Sequence, residues 1–180
     1  MEHKTTDAEL LLLGLIAEMP RHGYELEQVI EQRGMREWTQ IGFSSIYFVL
    51  GKLEKAGLIA ARAPESAKSR KIFTLTATGE ETLRTQTVEA LREVRPRPSS
   101  VLLGMAHWPV LDRDTALGAL ADRARAVGAE IERLAAIQYD QQPLPDFVNA
   151  LFDYSLGQLR AELKWVEETL AYMEARPWPK

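Results

Sequence analysis

At 180 residues, 46% of them apolar, the chain is long enough for one or two domains with cores of their own. It has no cysteine, which excludes a disulfide framework and a thiolate metal site, and its net charge of −4 is not the basic balance usual for a DNA-binding domain. The first residues lack the basic and apolar regions of a signal peptide, and no apolar run approaches the ~20 residues of a membrane span, so a cytoplasmic location without membrane association is expected.

The chain opens with Thr6-Asp7-Ala8-Glu9, a capping box for a helix running through Leu10 and Ile16 to Met19, with enough apolar neighbours to be buried on more than one face. Pro20 ends that helix. His22-Gly23-Tyr24 begins a second, with Leu26, Val29 and Ile30 inward, as far as Gly34. In the connection that follows, Trp38 and Ile41 are expected to pack against the core. From Ser44 to Ala56, Ile46, Val49, Leu50 and Leu53 fall on one helical face, with Ser44 or Ser45 as the cap and Gly57 as the left-handed residue that ends it. Leu58 to Ala61 and Ile72 to Thr76 read as strands around a polar loop that finishes in Lys68-Ser69-Arg70-Lys71. A short helix followed at once by a hairpin with a basic tip suggests a winged helix-turn-helix, whose helix start and cationic hairpin both suit DNA. Charge is distributed accordingly: Lys52, Lys55, Arg62, Lys68, Arg70 and Lys71 outweigh Glu54 and Glu65, whereas residues 96–180 have an acidic excess.

Thr76 and Thr78 can cap a helix from about Gly79 into Arg95, with Leu83, Val88, Leu91 and Val94 apolar. Pro96 and Pro98 then exclude a continuing helix, which puts the boundary between two domains, 1–95 and 96–180, at this point. A short helix from Val101 to Trp108 stops at Pro109. Asp112 caps a long helix through Leu117, Leu120, Ala124, Val127, Ile131 and Leu134 to Tyr139, and a last helix runs from Asp146 to about Arg176. Along this last helix Val148, Leu151, Phe152, Leu156, Leu159, Leu163, Val166, Leu170 and Met173 recur at steps of three and four, a stripe about seven turns long. Either it is an internal core, or it packs against a second subunit and sets two reading heads about 34 Å apart or a multiple of that.

The residues Gly23-Tyr24-Glu25-Leu26, Ser45-Ile46-Tyr47 with Leu50, Leu53-Glu54, Gly57-Leu58-Ile59 and Phe73-Thr74-Leu75-Thr76 with Gly79 together resemble the PadR family of transcriptional regulators. The resemblance covers roughly the first half of the chain. Two positions depart from its pattern, Phe48 where a proline commonly follows the tyrosine and Phe73 where a tyrosine commonly stands. The resemblance implies a homodimer with helical C-terminal elements, which assigns Leu156, Leu159, Leu163, Val166 and Leu170 to the dimer contact. It also implies a planar effector such as a phenolic acid, for which Trp108, Phe152 and Trp165 are the candidate pocket; core packing is the competing role for each.

Enzyme chemistry finds no support. His3, His22 and His107 lack the paired spacing of a zinc helix, and there is no phosphate-binding glycine loop, GxSxG or cysteine nucleophile, so no metal or cofactor is expected. The sequence therefore predicts a mostly α protein with a small β-hairpin wing, a DNA-binding domain followed by a helical dimerisation and effector module. The expected function is a dimeric repressor that binds double-stranded operator DNA through Tyr24, Ser44, Ser45, Tyr47, Lys52, Lys68, Arg70 and Lys71 and is relieved by a small aromatic molecule. The alternative is a helical adaptor that uses a winged helix to bind protein.

Overall fold

A computed structural model describes residues 4–35, 42–62, 71–94 and 99–178 of the chain and divides it into two compact units, residues 1–96 and 97–180. Trp38, Ile41, the hairpin tip at 63–70 and the linker prolines lie outside the described residues.

In the first unit α1 spans Asp7–Glu18 and begins with the expected capping box: Glu9 N–H donates to Thr6 Oγ1, and Thr6 N–H donates to Glu9 Oε2 at 2.8 Å. A two-residue strand, β1 (Arg21–His22), leads into α2 (Gly23–Gln32), and Gly34 takes the left-handed φ of +61° just past its end. Helix α3 is Phe43–Lys55, followed by β2 (Ile59–Arg62), β3 (Ile72–Leu75) and α4 (Ala77–Arg92). The sheet is antiparallel in the order β1-β3-β2, with His22 opposite Ile72 and Ala61 opposite Phe73. One core joins these elements: Leu12, Leu13 and Ile16 of α1, Leu26 and Ile30 of α2, Ile46, Leu50 and Leu53 of α3, and Leu58, Ile59 and Phe73 from the strand side.

The start of the hairpin is fixed by two glycines with different reasons. Gly57 has φ +72°, the conformation that turns α3 into β2. Gly79 lies in the first turn of α4 where a Cβ would overlap the carbonyl oxygen of Leu58. Thr76 stitches the two together, since its N–H and Oγ1 both donate to Leu58 O, its Oγ1 also donates to Gly57 O at 2.7 Å, and it accepts Gly79 N–H as the helix cap.

Two expectations for this unit need correction, and one element is additional. Neither Ser44 nor Ser45 caps α3; the helix begins at Phe43 with Gly42 as N-cap, so both serines lie inside its first turn. The strand β1 was not anticipated. Helix α4 ends at Arg92, short of the expected Arg95; Val88, Leu91 and, past its end, Val94 are exposed, while Gln86 is buried with its Oε1 accepting from Thr5 N–H and Thr5 Oγ1 at 3.2 Å each.

The second unit contains α5 (Ser100–His107), a 3-10 turn at Trp108–Val110, α6 (Arg113–Asp140), started by Asp112 accepting Thr115 N–H, and α7 (Asp146–Glu174). Helices α6 and α7 form an antiparallel hairpin. Arg113 donates to Glu174 O at one end, Arg123 pairs with Glu162 in the middle, and Gln138 meets Asn149 and Asp153 near the turn. Ala116, Leu120 and Val127 of α6 and Phe152, Leu156, Val166 and Met173 of α7 are buried, but no residue of α5 is. Among the described residues no helix is long and apolar enough to cross a membrane.

Candidate nucleic-acid interface

The amphipathic pattern of α3 decides which side chains it offers to a partner. Ile46, Val49, Leu50 and Leu53 are buried, as their three- and four-residue spacing requires. On the other side Tyr47 and Phe48 are 58% and 69% exposed, and Gly51, Lys52 and Lys55 are exposed with them. Ser45 is half-buried at the edge of this face. The N-cap Gly42 has no side chain with which to cap the helix, and in the first turn Ser45 N–H donates to Gly42 O at 3.1 Å.

Tyr47 is held from one side. Its ring lies over the start of α2 so closely that a Cβ at Gly23 would approach Tyr47 Cε1 to 2.7 Å and Leu50 Cδ1 to 3.3 Å. A residue larger than glycine there would push the tyrosine off the helix it leans on, which gives the Gly23-Tyr24 pair a physical purpose. Tyr24 itself is exposed, and its hydroxyl accepts from Gln28 Nε2 at 2.7 Å.

Lys52 differs from the expected phosphate contact. Its ammonium is 3.0 Å from Glu9 Oε1, and Glu9 is 1% exposed, so the cation of α3 is fastened to the capping carboxylate of α1. Burial pushes the Glu9 carboxyl up. The Thr6 amide, Lys52 and the Thr6 hydroxyl outweigh that, and it lies below the usual carboxylate range. The capping box and the helix-positioning ion pair thus share one side chain, of which the sequence pattern discloses only the first role.

At the base of the wing Lys71 is exposed, with its ammonium 3.5 Å from Glu54 of α3. Its carbonyl accepts from His22 Nδ1 at 3.0 Å, and since a carbonyl can only accept, that ring nitrogen carries the proton. Tyr24, Ser45, Tyr47, Lys52 and Lys71 therefore all belong to the unit formed by α1 to α3 and the hairpin. The side chains of Ser44, Lys68 and Arg70 lie outside the described residues.

The model of the Transcriptional regulator PadR-like family matches residues 12–85, a segment that runs from α1 through both helices of the turn, the hairpin and into α4. Over these residues the chain is similar to the PadR-like family. It is a family of transcriptional regulators, not of enzymes. Among solved structures, Bacillus subtilis PadR in complex with operator DNA superposes with a TM-score of 0.73 at 24% identity, covering 92% of this chain and 98% of that one. The same protein in complex with p-coumaric acid gives 0.75 at 23% identity with the same coverage. The Vibrio cholerae virulence activator AphA gives 0.66 at 16% identity, covering 94% of this chain and 99% of that one. At these identities the likeness is one of fold. No curated protein matches the chain.

The residues expected to line an effector pocket do not converge within the second unit. Trp108 packs against Trp178, with centroids 5.2 Å apart, and Trp178 Nε1 donates to Leu111 O. Phe152 is buried in the α6–α7 seam, and Trp165 lies thirteen residues along the same helix, about 20 Å away at 1.5 Å per residue. Aromatic content alone carries no spatial information. The dimerisation set divides as well: Leu156 and Val166 are 2% and 0% exposed because α6 already covers them, whereas Leu159, Leu163 and Leu170 are only half-buried.

Proposed function

We propose that the chain is a dimeric transcriptional repressor of the cytoplasm that binds operator DNA through α3 and the hairpin and releases it when a small aromatic acid binds. The observation that carries the DNA reading is the exposed side of α3: Tyr47, Phe48, Gly51 and Lys55 face outward from a helix whose opposite side is fully committed to the core. In a winged helix such a face enters the major groove, and the start of α3 near Ser44 and Ser45, with glycine at its N-cap, presents the positive end of the helix dipole to phosphate. Tyr24 at the start of α2 flanks it. Lys68, Arg70 and Lys71 on the hairpin meet the neighbouring backbone, while Lys52 contributes by holding α3 to Glu9. The operator complex of Bacillus subtilis PadR supports this assignment, and its p-coumaric acid complex supports a planar phenolic acid as the effector class. Repression is the sign we favour, since a dimer occupying an operator blocks access without further machinery.

The test is salt dependence. Lys68→Ala, Arg70→Ala and Lys71→Ala combined should weaken binding to every duplex alike and lower the slope of log affinity against log salt by about 0.9 for each phosphate that the hairpin no longer neutralises. An unchanged slope in anisotropy titrations would take the hairpin out of the interface. Binding that ignores salt and goes to a protein would favour the adaptor reading. Titrating p-coumaric acid into the operator complex should release the DNA; no release would remove phenolic acids from the effector class.

A further inference from the structure

We infer that Phe48 is a specificity-determining residue that reads a thymine methyl group in the major groove, an inference that rests on the proposed DNA-binding role of α3. Among the described side chains of this helix it is the most exposed large apolar one, at 69%, and it belongs to no part of the core. Its position in the helix is central to the outward side: Phe48, Gly51 and Lys55 stand at i, i+3 and i+7, directly opposite Ile46, Leu50 and Leu53. Tyr47 and Lys52 are at the margins of that side, one leaning on Gly23 and the other paired with Glu9.

Gly51 is the second observation. It lies inside α3, where glycine is a poor helix former, and a Cβ there would meet nothing within 4 Å, so no intramolecular packing calls for its smallness. A bare helix surface beside a projecting ring suits a partner that comes close to the backbone. The cation of Lys55 on the same side makes that partner an anion-bearing one. Among the base edges of the major groove, the feature that an aromatic hydrocarbon can recognise is the C5 methyl of thymine, since the other groups displayed there are hydrogen-bond donors and acceptors that a phenyl ring cannot satisfy.

The experiment uses the full chain and duplexes selected from a randomised library, in which each thymine is replaced in turn by deoxyuracil, a change that deletes the methyl and nothing else. Wild type should lose about fourfold in affinity at one or a few thymines, the worth of one buried methyl, and Phe48→Ala should bind the thymine and uracil duplexes equally. Phe48→Leu, which keeps an apolar side chain, should restore part of the preference. If every uracil duplex binds wild type as well as its parent, or if the uracil penalty persists in Phe48→Ala, Phe48 reads no methyl. A change of oligomeric state in Phe48→Ala by light scattering would instead place the ring in a contact between copies and overturn the inference while leaving DNA binding intact. Failure to select any duplex would defeat the DNA-binding reading itself.

Discussion

At the scale of single residues, Glu9 is where helix formation and orientation of α3 meet. One carboxylate oxygen caps α1 through Thr6 and the other holds Lys52, so Glu9→Gln retains an acceptor for the cap but removes the charge that fixes α3. The loss should be about 1.5 to 3 kcal/mol, the usual range for a hydrogen bond to a charged group. Its pH dependence has a definite sign. The native carboxyl is below its ordinary value of 4.5, so on acidification the unfolded chain takes the proton first. The stabilisation is full above that value and disappears as the pH falls through the lowered native one. Urea midpoints of wild type and Glu9→Gln should therefore differ at neutral pH and converge below about pH 4.5. Curves that stay parallel down through that range would mean that the ion pair contributes nothing.

At the scale of elements, the inward phase of α3 was legible because Ile46, Val49, Leu50 and Leu53 repeat at helical spacing, and that spacing alone fixes which side is buried. Its outward side was less so. Tyr47 stands out as part of a motif, yet the same 100° per residue that places Leu50 inward puts Phe48 outermost. Strand β1 could not be read at all: two residues have no periodicity, and Arg21–His22 is a strand only because β3 offers it an edge. Likewise the apolar pattern of α4 carried no information on which neighbour would cover it, and Val88 and Leu91 are left exposed. The two sides of α3 should separate by mutation. Leu50→Ala should destabilise the fold by about 2 to 5 kcal/mol through the cavity it leaves. Gly51→Ala should stabilise it, by up to about 1 kcal/mol, because the helix gains a better former and the Cβ meets only open space, while DNA binding weakens. Thermal melts and operator titrations of both variants decide it; a Gly51→Ala protein that melts higher and still binds normally would free this face from close approach.

At the scale of the whole molecule, the second unit is too thin to bury what it carries. The α6–α7 hairpin covers Phe152, Leu156 and Val166, but the same stripe leaves Leu159, Leu163 and Leu170 half-buried, and Leu102 and Leu103 of α5 are exposed. Periodicity located the stripe and could not divide it, since burial by α6 and burial by another subunit demand the same spacing. The remaining apolar edge is where we place the two-fold contact, which would let two α3 helices engage one operator. Leu159→Asp with Leu163→Asp puts charges on that edge while leaving Leu156 and Val166 in the seam, so circular dichroism should retain the helical signal. Light scattering should report a monomer, and operator affinity should fall by about 10² to 10⁴, the advantage that joining two reading heads confers through effective concentration. Both effects must appear together, because a monomer keeps an intact winged helix and is deprived only of its second reading head. A double mutant that remains dimeric and binds as before would move the two-fold contact off this edge, and Leu102→Asp with Leu103→Asp on α5 would then be the pair to examine, since charges at these exposed positions leave the protomer's own core untouched.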